Sequence, residues 1–168
     1  YKNMRNMAKL SLNIEWVLQE YITNPLLYKN KKFHLRGYYL YHRITDNKKK
    51  GYLLKNHRVF TSNALYENSD YFNKDIHDTH INSTPHEINY IPDITNTLTS
   101  EQVKKIDQQL NYLFSKLLKV INSKCYSENN HCYHLFASDI MITDDYNIKL
   151  IEINTKPGMG EYKKQKVE

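Results

Sequence analysis

The chain has 168 residues, 40% of them hydrophobic, with 15 tyrosines supplying much of the bulk and only four glycines and four prolines. That is long enough to bury a core as one domain or a piece of one, and too poor in Gly and Pro for a linker or low-complexity tail. A net charge of +6 and a pI near 9.1 favour acidic partners (nucleic acid, a nucleotide phosphate, an acidic protein tail), unless the lysines simply solvate the surface.

Residues 1–14 are polar and weakly patterned, and EWVLQEYI (15–22) reads as a strand closed by Thr23-Asn24-Pro25. KKFHLRGYYLYHRI (31–44) alternates and is rich in aromatics, which predicts another strand. DNKKKG turns, with Lys48-Lys49-Lys50 as a hairpin tip, and YLLKNHRVFTS (52–62) gives one strand or two short ones around Lys55-Asn56-His57. Residues 63–98 have no clear period, and so long an irregular stretch in a compact domain is usually functional or mobile. Its His77, His80 and His86 could ligate a metal, although loop histidines more often face water.

TSEQVKKIDQQLNYLFSKLLKVIN is the clearest helix, with Val103, Ile106, Leu110, Leu113, Leu117 and Val120 at helical spacing and Thr99 with Gln102 as a capping box. The two cysteines that follow, Cys125 and Cys132, fit a reducing compartment, and with His131 and His134 they match no common zinc spacing. HLFASDIMITDDYNIKLIEINTKPGMG then reads as a strand, a tight turn at Asp144–Asn147 and a second strand. The class is α+β, a mostly antiparallel sheet with helical cover. No run of about 18 apolar residues and no signal-peptide pattern occur, so a soluble, cytoplasmic protein with no membrane partner is expected.

The last hairpin holds the chemistry. Side chains at i and i+2 of a strand share a face, so Glu152 and Asn154 point the same way. With a four-residue turn, Thr143 pairs with Ile148 and Asp139 falls opposite Glu152, about 5 Å away. Two carboxylates so placed repel unless a cation lies between them, and Mg2+, which takes oxygen ligands, is one answer, with the Asn154 amide adding an oxygen without charge. An exposed sheet edge carrying scattered acids is the other. The apolar neighbours Phe136, Ile140, Ile142, Ile148, Leu150, Ile151 and Ile153 argue for a central position.

These residues resemble a known pattern. LFASDIMITDDYNIKLIEINTKPG is similar to the C-terminal signature of ATP-grasp ligases, within them the tubulin-tyrosine-ligase-like family. WVLQEYITNPLLYKNKKFHLRGYYLYHR resembles that family's hinge strand, Pro-Leu-Leu connection and Lys-Phe-Asp-(Ile/Leu)-Arg strand, and GYLLKNHRVFTSNALY resembles the next strand and the small-residue stretch ending in tyrosine. The resemblance implies that Asp139, Glu152 and Asn154 hold Mg2+ bridging ATP phosphates. It implies that Gln19, Glu20, Tyr21 and Ile22 form the hinge against adenine, that Lys32 reaches phosphates or ribose, and that Arg36 stabilises phosphoryl charge. The implied reaction is amide-bond formation: a protein carboxylate, of an acidic tubulin-like tail, attacks the γ-phosphate of ATP, and a free amino acid's amine then displaces phosphate from the acylphosphate.

Several departures accompany the resemblance. His34 stands where the family has an acid, and Phe60 falls where it has an arginine, for which Arg58 on the same strand face could substitute if the register slips. His80-Ile81-Asn82-Ser83 only faintly echoes a His-Leu-Thr-Asn segment. No glycine-rich loop occurs, the glycines being 37, 51, 158 and 160, and the chain begins at Tyr1. Residues 1–168 are therefore expected to be the C-terminal portion of a longer ATP-grasp ligase, without the upstream loop subdomain and inactive alone. Two alternatives remain: a catalytically dead relative that binds an acidic protein or nucleic acid through its basic surface, and an ATP-grasp ligase for a small peptide or metabolite. The tyrosines of GYYLYHR could stack on bases, but no recognised module accompanies them and nucleic acid is not the favoured partner.

Overall fold

The computed structural model describes residues 17–45, 48–55, 57–80, 89–90, 94, 96–121 and 132–158. Among them are seven strands and two helices: β1 (Leu27–Tyr28), β2 (Lys31–Thr45), β3 (Lys48–Leu53), β4 (Arg58–Thr61), α1 (Lys74–His77), β5 (Asn89–Tyr90), α2 (Ser100–Val120), β6 (Cys132–Ile142) and β7 (Ile148–Asn154). All the strand pairings are antiparallel. The class is α+β, as the alternating and helical periods predict.

The 15-residue β2 is the spine. One edge pairs with β4 along Phe33–Arg36 and with β3 along Tyr39–Thr45, and the other pairs with β6 along Leu35–Arg43. The sheet order is β5-β4-β2-β6-β7. The stretch 52–62 is thus two strands, broken near His57 where the chain leaves one half of β2 for the other.

Period two sorts β2 cleanly. Phe33, Leu35, Tyr39 and Tyr41 join the core, and α2 covers them with Ile106, Leu110 and Phe114. Phe114 stacks on Tyr39 with centroids 5.3 Å apart. Each such side chain contributes about 1.5–3 kcal/mol on leaving water. α2 begins where the sequence predicts, with Thr99 and Gln102 closing a reciprocal capping box. Its apolar stripe ends sooner: Leu113 and Leu117 pack at the core's edge, but Val120 is 79% exposed because the helix has by then run past the core.

The strand expected at 15–22 does not form over its described part. Residues 17–22 are irregular and pair with no strand, and Val17 and Leu18 are 90% and 83% exposed. Ladder contacts start at Pro25, which bridges Thr143, and Leu26, whose amide donates to Ile142 O at 2.8 Å.

The β6–β7 turn is tighter than four residues. Thr143 N donates to Asn147 O, not to Ile148, and Tyr146 takes φ 62 to close a three-residue loop. Helix α2 braces it, for Gln109 donates to Tyr146 O at 2.8 Å and accepts from Ile148 N at 3.2 Å. The tighter turn alone would put Asp139 opposite Ile151. A bulge absorbs Ile151, so that Ile140 faces Leu150 while Asp139 faces Glu152. This bulge decides the site. Ile148 and Leu150 pack on the core side, and simple alternation would send Glu152 there too; one extra residue turns Glu152 to the opposite face, with Asp139.

None of the described helices is long and apolar enough to cross a membrane. Cys132 is disulfide-bonded, which runs against reading the cysteines as reduced thiols and removes Cys132 from any zinc set. Its imagined partners Cys125 and His131 lie outside the described residues, as does His86.

Candidate functional site

The face of the sheet opposite α2 carries a row of polar side chains that its apolar neighbours on the strands leave no choice but to share. From β2 come Lys32, His34, Arg36 and Tyr38; from β4, Arg58 and Phe60; from β6, Asp139; from β7, Glu152 and Asn154. Arg36 pairs directly with Arg58 on one side and with Asp139 on the other. Arg58 therefore stands on this face in the plain register, without any slip.

Residues 19–22 and 71–80 wall this face into a cleft of about 450 Å3, within the range of small-ligand sites. Gln19, Glu20, Tyr21, Ile22, Lys32 and Asp139 all line it. Arg36, Arg58, Glu152 and Asn154 belong to the adjoining stretch of the same sheet face. The ten residues singled out from the sequence thus share one side of one sheet.

Lys32 is almost wholly buried, its Nζ donating to Tyr21 Oη at 3.1 Å and lying 4.4 Å from that ring's centroid. Burial pulls its ammonium below the ordinary lysine range, against the opposing charge of Asp78. Burial also pushes the Tyr21 phenol up to about 12.

Asp139 is 1% exposed. Arg36 grips both its oxygens, Nε donating to Oδ1 and Nη2 to Oδ2, each at 2.7 Å. Burial would raise this carboxyl, but the Arg36 hydrogen bonds and the positive field around it prevail and hold it below the usual range. The cation beside the carboxylates is thus Arg36, on the far side of Asp139 from Glu152, and its own proton is held more tightly by the same bonds. Asn154 Nδ2 donates to Asp139 Oδ2 at 3.2 Å and to Glu152 Oε1 at 3.0 Å, so the three oxygen-bearing side chains converge.

His34 is 2% exposed and packs in a three-ring cluster: Phe60 lies 4.9 Å away, nearly parallel, His80 lies 4.6 Å away, and those two rings are 6.1 Å from each other. Its Nδ1 shares a 2.5 Å hydrogen bond with Thr79 Oγ1, while Nε2 has no partner and lies 3.8 Å from Asp139 Oδ1. Burial lowers its pKa to about 4, despite Asp139 nearby. The two family departures, His34 and Phe60, are thus one packed pair directly opposite each other.

Sequence reasoning left residues 63–98 without a role, yet their described part supplies the cleft's outer wall. The short α1, capped by Asn73, sets His77 against Tyr21, whose hydroxyl lies 2.6 Å from His77 Nδ1, and delivers Asp78, Thr79 and His80 beside Asp139. The one available signal was the density of His and Asp just after Tyr66.

Known proteins bear on this arrangement. The sequence pattern of the tubulin-tyrosine ligase family matches residues 2–168. Similar proteins include tubulin glycylase 3B of Drosophila melanogaster, 26% identical over 88% of this chain and 22% of its own length. Tubulin glycylase 3F of Tetrahymena thermophila is 29% identical over 85% of this chain and 17% of its own length. The chain therefore spans less than a quarter of either relative. The family pattern runs through the 17–22 segment, the spine strand, the irregular wall and the closing hairpin alike: the chain belongs to the tubulin-tyrosine ligase family.

Proposed function

We propose that this chain is the nucleotide-and-metal half of an ATP-dependent ligase that joins an amino acid to a carboxylate of an acidic protein. The observation that carries the reading is the cleft and its edge: the 19–22 segment, the buried Lys32 and Asp139 line one space, and Glu152 and Asn154 adjoin it through Asp139. The names of the two relatives point to tubulin as acceptor and glycine as the amino acid joined.

The cluster fits Mg2+. It offers hard carboxylate oxygens, and Asp139 Oδ1, gripped by Arg36 Nε, keeps a further lone pair; the Asn154 amide turns Nδ2 to both carboxylates and would flip to offer its oxygen. Held by Asp139, Glu152 and Asn154, the ion would supply neutralising charge for the nucleotide's phosphates. The chain's own residues do the rest. Backbone groups of Gln19–Ile22 fix the base, and Lys32, whose ammonium is disfavoured by burial, gains a compensating negative charge beside a phosphate. Arg36 and Arg58 face the γ-phosphate and the acyl group it activates. The acceptor carboxylate oxygen attacks phosphorus and ADP leaves; the amine nitrogen then attacks the acyl carbon and inorganic phosphate leaves.

The test uses the full-length protein. Mg2+-dependent ADP release with a glutamate-rich acceptor and glycine should fall by roughly 10²–10³ in Glu152→Gln, the scale of losing one preorganised charge-stabilising group. If wild type and variant are equally inert while the protein still binds the acidic peptide, the binding-module reading stands instead. The packed His34–Phe60 pair, in place of the family's acid and arginine, favours that second reading.

A further inference from the structure

We infer that His34, His80 and Asp139 form a nitrogen-bearing site for a transition-metal dication of the Zn2+ or Co2+ kind, distinct in donor chemistry from the all-oxygen cluster beside it. Among the described residues, one ligand atom from each of these three lies within 4.8 Å of the others. His34 Nε2 is 3.8 Å from Asp139 Oδ1, and His80 Nε2 is 3.7 Å from Asp139 Oδ2.

Two independent features point to a ligand. The first is His34 Nε2, a buried nitrogen aimed at the carboxylate with no hydrogen-bond partner. Leaving such a group unsatisfied costs about 1–3 kcal/mol. The second is the outer partners. His34 Nδ1 shares its bond with Thr79 Oγ1, which leaves Nε2 the lone pair in the tautomer where Nδ1 donates, and His80 Nδ1 faces Asp78 Oδ1 at 4.0 Å, so both rings turn Nε2 towards Asp139. Hydrogen-bonded outer nitrogens fix the tautomer in metal-bound histidines.

Ligand atoms around a tetrahedral ion with bonds near 2.0–2.1 Å stand about 3.4 Å apart. Closing the gap is mostly a movement of His80, whose side chain is 51% exposed and which follows α1 in a loop. Imidazole nitrogens favour Zn2+ and its neighbours over Mg2+, so His34 in place of an acid changes which metal this corner prefers.

Arg36 opposes the ion. Its guanidinium fills the space beside Asp139, with Nη2 3.4 Å from His80 Nε2. The arginine and the dication therefore compete for one carboxylate, and bound metal would withdraw Asp139 from the oxygen cluster. This site depends on no nucleotide chemistry and stands or falls apart from the ligase reading.

The test is titration of the full-length apo-protein with Co2+ in excess Mg2+, reading the visible bands that nitrogen ligation gives cobalt. His80→Ala, at an exposed position, should weaken binding at least tenfold, and His34→Gln likewise if it folds. Glu152→Gln should leave the bands in place, and Arg36→Gln should tighten binding. Unchanged bands in His80→Ala, equal loss in Glu152→Gln, or weaker binding in Arg36→Gln would each overturn the assignment.

Discussion

Arg36 and Asp139 show how much one pair can organise. Asp139 is 1% exposed and the Arg36 side chain 14%, and two 2.7 Å bonds join them. Asp139→Asn leaves the guanidinium buried beside a neutral amide, and breaking such a pair costs roughly 3 kcal/mol. Urea unfolding should show that loss whether or not the protein has activity, and a change under about 0.5 kcal/mol would contradict it. His57 makes a second prediction. It is buried in the core beside Gly37, where an added Cβ would stand 3.1 Å from His57 Nδ1 and 3.2 Å from the Phe114 ring. Burial alone lowers its pKa from 6.5 to about 4. Between those values the unfolded chain binds a proton that the folded chain refuses. The stability is therefore complete above pH 6.5 and lost as pH falls towards 4, by about 3 kcal/mol. His34 titrates over the same window, so His57→Leu should flatten the acid limb of the stability profile by about half, with no change above pH 7.

At the scale of elements, the pieces legible in the sequence are those whose own period settles their partners. β2 alternates over 15 residues, so Lys32, His34 and Arg36 could be assigned to one face from spacing alone. α2 carries its capping signal in Thr99 and Gln102. What could not be read depends on distant partners. Residues 17–22 are apolar enough for a strand, but strandhood needs a neighbour and the described chain gives them none. The wall at 71–80 has no period because it is shaped by single contacts, Asn73 on the Asp75 amide and Thr79 on His34. The Asp139–Glu152 pairing came from a four-residue turn, whereas the structure reaches it through a shorter turn plus a bulge; the two differences cancel. That cancellation is testable. Deleting Ile151 removes the bulge yet leaves Asp139 opposite Glu152 and Leu150 on the core face. We expect the deletion to fold with less than about 1.5 kcal/mol lost, since only a half-buried isoleucine goes and a regular ladder pair is regained. Unfolding of the deletion variant would mean that the bulge sets more than register.

For the whole molecule the deciding quantity is charge. The chain carries +6 net, whereas in and beside the cleft Lys32, Arg36, Arg58 and Lys74 are balanced by Glu20, Asp78, Asp139 and Glu152. The net positive charge of the whole chain draws anionic partners in, and this steering acts over distances that salt controls: the screening length is about 10 Å at 0.1 M and shorter above it. Contacts inside the cleft are screened far less, because Arg36 and Asp139 sit where few ions reach. The two effects separate in kinetics. For the full-length protein acting on an acidic peptide, raising ionic strength should raise KM for the peptide several-fold and leave kcat nearly unchanged, since encounter weakens while the assembled site does not. A peptide with its flanking acids replaced by glutamine should show a higher KM at low salt and little salt dependence. If kcat falls with salt while KM holds, the basic charge acts at the reacting centre rather than in recruitment. Lys32, Arg36 and Arg58, not the lysines of β3, would then account for it.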